Sequence, residues 1–355
     1  MTFPEKRREE ENVSSRSQPS ASDSSKDVRR KIISRSVLVV TNRQDVTTDF
    51  VILEMQRRGV PYVRLNSEYL AQGILRLTPE SGAHGFQLTI GERLVSLAEF
   101  GAAYYRRPGV PHAAGLVPEQ YLAYCEGEWG ASLRALYAFL ETRWLNSPQR
   151  IDAAENKPYQ LFIASALGFS IPETCITNDA REARRLLAGG KTIGKPLRTA
   201  LIGIANDERV IFTEQIADAS AIDDAAVAVA PIIFQRQIVK ALDVRVTVVG
   251  NAVFSVAIHS QTTVESSVDW RRGNNPHLEH SVVQLPPDIR EKCVAIVKRF
   301  GLRFGAIDLV LDTDNKYWFL EINPNGQWAW IETRTGLPIT AAIVDELQSI
   351  CDEAH

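Results

Sequence analysis

Two carboxylates, Asp308 and Glu321, stand inside apolar runs, Gly305-Ala306-Ile307-Asp308-Leu309-Val310 and Trp318-Phe319-Leu320-Glu321-Ile322, and the second run continues into Asn323-Pro324-Asn325-Gly326. Charge in such surroundings is costly unless it is compensated. With a two-residue hairpin turn at Asp314-Asn315, Asp308 falls opposite Glu321, and the period of two puts Asn323 on the face of Glu321. Like charges opposed across a ladder are unfavourable without a cation between them. Two carboxylates and an amide oxygen are hard ligands, suited to Mg2+ bound together with substrate phosphates. The plainer alternative is a solvated hairpin with ordinary acidic residues.

Point charges for a polyphosphate are available in Lys157, at the start of a helical pattern after Glu155-Asn156, and in Lys195, at the end of the strand-like Ile193-Gly194-Lys195-Pro196. Either lysine alone is equally a solvated surface residue. A third pattern runs from Phe234 to Val249: an apolar strand, a polar break, and a strand re-entered through Asp243 and Arg245. The break would leave backbone groups between Gln235 and Ile238 free to pair with an adenine edge as another strand would. Asp243 and Arg245 share a face, either as a simple ion pair or with Asp243 orienting Arg245 toward an anionic substrate. His277 and His280 are spaced for a metal pair, but no third ligand is near in sequence, and a polar loop is the expected reading.

The elements that must position these residues are legible from periodicity. Residues 1–35 are polar, charged and nearly free of large apolar side chains, so they are expected to be disordered. From Ser36 a strand, a helix over 45–58 and a second strand at 62–65 give the order of a parallel α/β layer, followed by strand-like alternation at 85–90 and 102–106 and a helix over 119–140. A second unit begins near Asn146, with helices at 157–167, 179–187, 287–300 and 339–351. Its strands are expected at 192–195, 209–213, 232–238, 243–249, 252–258, 306–311 and 317–322, an α+β pattern.

Composition excludes several classes. The formal net charge of -3 gives no global attraction to nucleic acid or an anionic membrane. Cys125, Cys175, Cys293 and Cys351 are scattered, without the spacing of a zinc site or a disulfide scaffold, and read as reduced thiols of a cytoplasmic protein. No apolar run approaches the ~20 residues of a spanning helix. No nucleic-acid or membrane partner is expected.

Taken together, the helix Lys, the Lys-Pro strand, the Phe234-Gln235 hinge, Lys240-x-x-Asp243-x-Arg245, Asp269-Trp270-Arg271, Gly305-x-x-Asp308 and Glu321-x-Asn323-Pro324-Asn325-Gly326-Gln327-Trp328 resemble the ATP-grasp peptide maturases, or graspetide synthetases, of the microviridin-forming kind. Tyr105-Arg106-Arg107-Pro108 and Glu332-Thr333-Arg334-Thr335-Gly336-Leu337-Pro338 resemble the actinobacterial branch. The likeness spans about residues 36 to 350. It implies an ATP-grasp fold mixing α/β and α+β parts: an α/β pre-grasp domain over 36–145, a central subdomain over 146–232 and a carboxyl-terminal grasp subdomain over 233–355.

The resemblance also implies an ADP-forming ligase with ATP and Mg2+. Such an enzyme activates Asp or Glu side chains of a ribosomal precursor peptide, recognised through its leader and core, and cross-links them to Ser, Thr or Lys side chains as lactone or lactam. By that likeness Lys157 and Lys195 bind phosphates, and Gln235, Gln237 and Ile238 hold adenine. Asp308, Glu321 and Asn323 bind Mg2+, while Lys240, Asp243, Arg245 and Arg271 meet the substrate. A homodimer is implied, and residues 261–273 are placed where a leader would dock or a plain hairpin would lie. Two departures stand out: residues 198–205 carry a single glycine where a glycine-rich phosphate lid is common, and Arg236 replaces an acidic hinge residue. An ATP-grasp ligase of small molecules or amino acids, and a nucleotide-binding regulator, are the alternative functions.

Overall fold

A computed structural model of the chain describes residues 35–198, 201–202, 209–210, 213–262, 270 and 278–353. The tail expected to be disordered lies outside these residues apart from Arg35. β1 (Ser36–Thr41) is buried along almost its whole length, as a central parallel strand must be. α1 (Val46–Arg58) follows because Asp45 accepts the Thr47 amide at 3.1 Å as its N-cap and Gly59, at φ 69°, closes it in a left-handed turn. β2 (Tyr62–Asn66) returns parallel to β1. β3 (Leu75–Leu77), β4 (Phe86–Ile90) and β5 (Arg93–Ser96) form a separate antiparallel meander, of which the alternation in sequence marks β4 alone. β6 (Phe100–Tyr105) completes a parallel sheet in the order β2-β1-β6, and a 3-10 turn leads into α2 (Leu122–Leu140) and then α3 (Pro148–Ala154).

α4 (Lys157–Ala166) is capped by Asn156 and carries Pro158 in its first turn. Beyond it come β7 (Thr174–Thr177), α5 (Ala180–Ala188), β8 (Thr192–Lys195), β9 (Leu201–Ile202), β10 (Arg209–Val210), β11 (Glu214–Ile216), α6 (Asp224–Val229) and β12 (Ile232–Arg236). Four of these strands make an antiparallel sheet in the order β11-β8-β12-β7, and β9 pairs with β10 separately. β7 and β11 are too short and too hemmed by Pro172, Asn178 and Asp218 to register as periodic runs.

A five-stranded antiparallel sheet, in the order β15-β14-β13-β16-β17, is formed by β13 (Lys240–Val249), β14 (Ala252–Ile258), β15 (His280–Val282), β16 (Phe304–Asp312) and β17 (Tyr317–Asn323). α7 (Pro287–Arg299) precedes β16, while α8 (Ala329–Thr335) and α9 (Ile339–Glu353) close the chain. The even-numbered residues Val244, Val246 and Val248 pack with Ile307, Leu309 and Ile322 against α4 and α7. Against the opposite side lies a second core, in which Ala306, Trp328 and the apolar face of α9 meet Val37, Val39, Ala102 and Met55. Burying each such large side chain contributes about 1.5–3 kcal/mol, which fixes this sheet against the first one.

Buried polar side chains lock the same junction. Asn146 donates to the carbonyls of Phe304 (2.8 Å) and Pro324 (2.7 Å) and accepts the amides of Arg303 (2.8 Å) and Phe304 (3.0 Å), so all four of its hydrogen-bonding positions are used. On the surface, Glu54 of α1 is gripped by Arg57 and Arg58, and Arg58 continues to Asp345 and the Ala341 carbonyl of α9. The Arg57 hydrogen bond, with Arg58 beside it, pulls the Glu54 carboxyl from 4.5 down to about 2.

A depressed folded pKa adds stability above the unfolded value and loses it as pH falls through the folded one. Glu54→Gln should therefore lower stability by about 1 kcal/mol at pH 7, the scale of an exposed ion-pair cluster. In urea unfolding, that difference should shrink as pH falls from 4.5 toward 2.

Candidate active site

Three neighbouring strands set charged residues in a row. Arg245 of β13 lies opposite Asp308 of β16, and Asp308 lies opposite Glu321 of β17. The second pairing arises differently from the two-residue turn expected. Asp312 pairs with Lys316 across a three-residue loop, Thr313 to Asn315, in which Asn315 takes φ 60° and the Asp312 carboxylate accepts the amides of Asp314 and Lys316. That loop shifts the ladder by one residue, so that Leu309 faces Phe319. A bulge at Leu320 then restores the register at Asp308.

Around the two carboxylates the side chains converge. Asn323 Nδ2 lies 3.2 Å from Asp308 Oδ2 and 3.4 Å from Glu321 Oε1. Arg245 Nη1 bonds both oxygens of Asp308, at 2.7 and 2.8 Å, and Lys157 Nζ stands 3.7 Å from Glu321 Oε2. Lys157 reaches this position because Gln160, one turn along α4, bonds both the Ile322 amide (3.0 Å) and the Ile322 carbonyl (2.8 Å). This side chain gives the edge of β17 at Ile322 the partner a further strand would give. Two carboxylates at one spot, joined by an amide that presents its oxygen after a half-turn, suit a small hard cation. Among the described residues no cluster of three His, Cys, Asp or Glu side chains competes as a metal site.

Lys195, at the end of β8, donates to Gln235 Oε1 at 3.0 Å, and Lys157 donates to the adjoining Pro196 carbonyl at 3.3 Å. The two lysines thus meet at one strand end. The polar break differs from expectation. Gln235 is a buried member of β12, flanked by β7 and β8, and its Nε2 donates to Thr174. The amides of Arg236 and Gln237 are taken by the carbonyls of Glu173 (2.8 Å) and Lys191 (2.9 Å). The backbone donors open to an adenine edge therefore begin at Ile238, beside a buried Gln237 Oε1 that has no partner among the described residues. Arg236 turns back onto Glu173 and the Leu186 carbonyl at the end of α5, a structural role.

Asp243 and Arg245 share a face but do not pair. Asp243 is held instead by Lys240 at 2.7 Å and by the Ser260 hydroxyl. Arg271, His277 and nearly all of residues 263–277 lie outside the described residues, as does most of the segment expected to form the lid. His280, expected in a loop, opens β15, and its Nδ1 takes part in a 2.9 Å hydrogen bond with Arg334. Burial and that guanidinium lower its pKa, so the ring is neutral at pH 7.

A contribution from the first half of the chain has no periodic signature. Arg106, 1% exposed at the end of β6, donates through Nη1 to the Asn325 carbonyl (2.5 Å) and Oδ1 (2.6 Å), and through Nη2 to Gln327 Oε1 (2.8 Å). Gly326 is needed in this turn, since a Cβ there would stand 2.5 Å from that of Ala306 and 2.8 Å from Arg245 Nη2. Its sequence signals are a double arginine directly after a buried strand and the Tyr105-Arg106-Arg107-Pro108 resemblance. Beside the turn opens a pocket of about 850 Å³, lined among others by Arg107, Arg245, Trp270, Asn323, Trp330 and Arg334. Arg106→Met should lower stability by about 3 kcal/mol in urea unfolding, because the carbonyls and amide oxygens it serves are left buried without a donor.

This geometry agrees with what the chain is similar to. Residues 155–347 match the RimK-like ATP-grasp domain, and residues 36–152 match the MvdD pre-ATP grasp domain. A RiPP-associated ATP-grasp ligase of Chryseobacterium gregarium, solved with ADP and a leader and core peptide, superposes with a TM-score of 0.81 at 27% identity, over 90% of this chain and 98% of its own. The macrocyclase MdnC of Microcystis aeruginosa, solved with the precursor peptide MdnA, gives 0.75 at 28% identity, over 88% and 98%. A probable alpha-L-glutamate ligase of Chromohalobacter salexigens is 25% identical over 62% of this chain and 72% of its own. Among the described residues no helix is long and apolar enough to cross a membrane. The chain belongs to the RimK-like ATP-grasp family of ATP-dependent ligases, with an MvdD pre-ATP-grasp domain ahead of the catalytic fold, in keeping with the graspetide-synthetase resemblance of its motifs.

Proposed function

We propose that this ligase activates Asp or Glu side chains of a ribosomal precursor peptide with ATP and joins them to Ser, Thr or Lys side chains of the same peptide. The observation that carries the reading is the row Arg245, Asp308, Glu321, flanked by Lys157 and opening on a pocket large enough for a peptide side chain. Asp308, Glu321 and Asn323 are the residues to hold Mg2+, which would neutralise phosphate charge there. Lys157 and Lys195 place cations at the phosphates, and Ile238 with Gln237 receives adenine. Arg245, with Arg271, aligns the substrate carboxylate. Asp243, steadied by Lys240 and Ser260, stands on the same face to orient the attacking group.

The reaction demands positioning and charge neutralisation, with no protein nucleophile. A carboxylate oxygen attacks the γ-phosphorus and ADP leaves. A hydroxyl or amine of the peptide then attacks the acyl carbon, phosphate leaves with the bonding electrons, and the nucleophile gives up its proton. Net change in the peptide is the loss of one water per link. The glutamate-ligase likeness favours a second reading, addition of an amino acid to a carboxylate.

Mass spectrometry of the peptide encoded beside this gene, after incubation with the protein, ATP and Mg2+, separates the two. Cross-linking gives a loss of ~18 Da per link with equimolar ADP, whereas addition gives a gain of one amino-acid residue. An unchanged peptide mass would count against both. Glu321→Ala should abolish ATP turnover. Arg245→Ala should keep nucleotide affinity within about twofold while product formation falls by a factor on the order of a hundred, the scale of one lost charge-stabilising donor.

A further inference from the structure

Arg107 differs from the other arginines around the pocket. Arg106 is buried against the 325–327 turn, Arg245 is bonded to Asp308, and Arg334 is bonded to His280 and the Leu278 carbonyl. Arg107 lines the same pocket, and among the described residues its guanidinium makes no hydrogen bond or ion pair. Desolvation and the neighbouring Arg106 charge pull its pKa below the ordinary value, against an opposing pull from Asp45.

Its backbone is unusual as well. Arg107 takes φ 118°, a conformation that favours glycine, and its carbonyl is held there at 2.5 Å by Asn42 Nδ2. The turn itself does not call for an arginine. What the arginine adds is a fork of donors to a pocket that a second arginine, Arg334, also lines, likewise without a carboxylate partner among the described residues. Among the described residues the one acidic side chain lining this pocket is Glu155.

We infer that Arg107 is a specificity residue that binds a carboxylate of an acidic peptide in this pocket, separate from the Arg245–Asp308 pair. The site is on the pre-ATP-grasp side of the chain and so couples that part of the molecule to substrate choice. Trp270 and Trp330, with ring centroids 5.4 Å apart, supply an apolar wall against which the rest of the peptide lies. The inference rests on the peptide-ligase reading for its substrate, but its test does not need turnover.

Full-length protein loaded with ADP and Mg2+ is titrated calorimetrically with acetyl-Gly-Glu-Gly-Glu-Gly-amide and with its Gln counterpart. The parent should bind the Glu peptide about tenfold more tightly, a difference of about 1.4 kcal/mol. Arg107→Gly should erase that preference with a Tm equal to or above the parent's, because glycine suits φ 118°. Arg107→Lys should keep part of the preference. No preference in the parent, or a preference that survives Arg107→Gly, overturns the inference. A preference that depends on Arg107, together with a precursor peptide that never loses ~18 Da, would reject the cross-linking reading and leave this subsite standing.

Discussion

Two like charges on adjacent strands are the constraint from which the rest of this structure follows. Asp308 and Glu321 face each other at the buried end of a hairpin, where their repulsion is poorly screened and must be met by cations. The sheet supplies one from the next strand, Arg245, and a helix N-terminus supplies another, Lys157. Neither would stay in place on its own. Gln160 ties the helix to the hairpin edge, and Arg106 and Asn146 tie the turn after Asn323 to the first half of the chain. Buried ion pairs of this kind contribute little net stability, and their value here lies in fixing where charge sits.

That division of labour explains why a parallel α/β layer precedes an antiparallel catalytic sheet. The first layer shares a core with α9 and the far side of the five-stranded sheet, so β6 ends beside the 325–327 turn. Arg106 then reaches the turn from within the protein, while Arg107, one residue on, faces the pocket. A single dipeptide at a strand end thereby serves both the rigidity of the site and its mouth.

Much of this was legible in the sequence because it depends on local period. The alternation Asp243, Arg245, Thr247 against Val244, Val246, Val248 announces a strand with one polar and one apolar face, and the carboxylates of β16 and β17 mark themselves by standing in apolar runs. A two-residue turn also predicts the facing of Asp308 and Glu321, yet it comes from a three-residue loop and a bulge whose shifts cancel. Sequence gave no warning of either. Nor did it show that Asp243 would choose Lys240 and Ser260 over Arg245, since the spacing alone allowed an ion pair. At the hinge, the amides of Arg236 and Gln237 are taken by Glu173 and Lys191, partners from remote segments that the local pattern does not show. Arg106, Asn146 and Gln160 act through contacts distant in sequence, which no window of neighbouring residues can reveal.

The central claim is that Asp308 and Glu321 jointly hold a divalent cation with the phosphates of a nucleotide. Electron paramagnetic resonance of Mn2+ added to the full-length protein, with and without ADP, tests it most directly. The account predicts Mn2+ bound tightly when ADP is present, and loss of that binding in the Asp308→Asn, Glu321→Gln double variant while the fold is retained. Mn2+ bound with unchanged affinity by that double variant would contradict it.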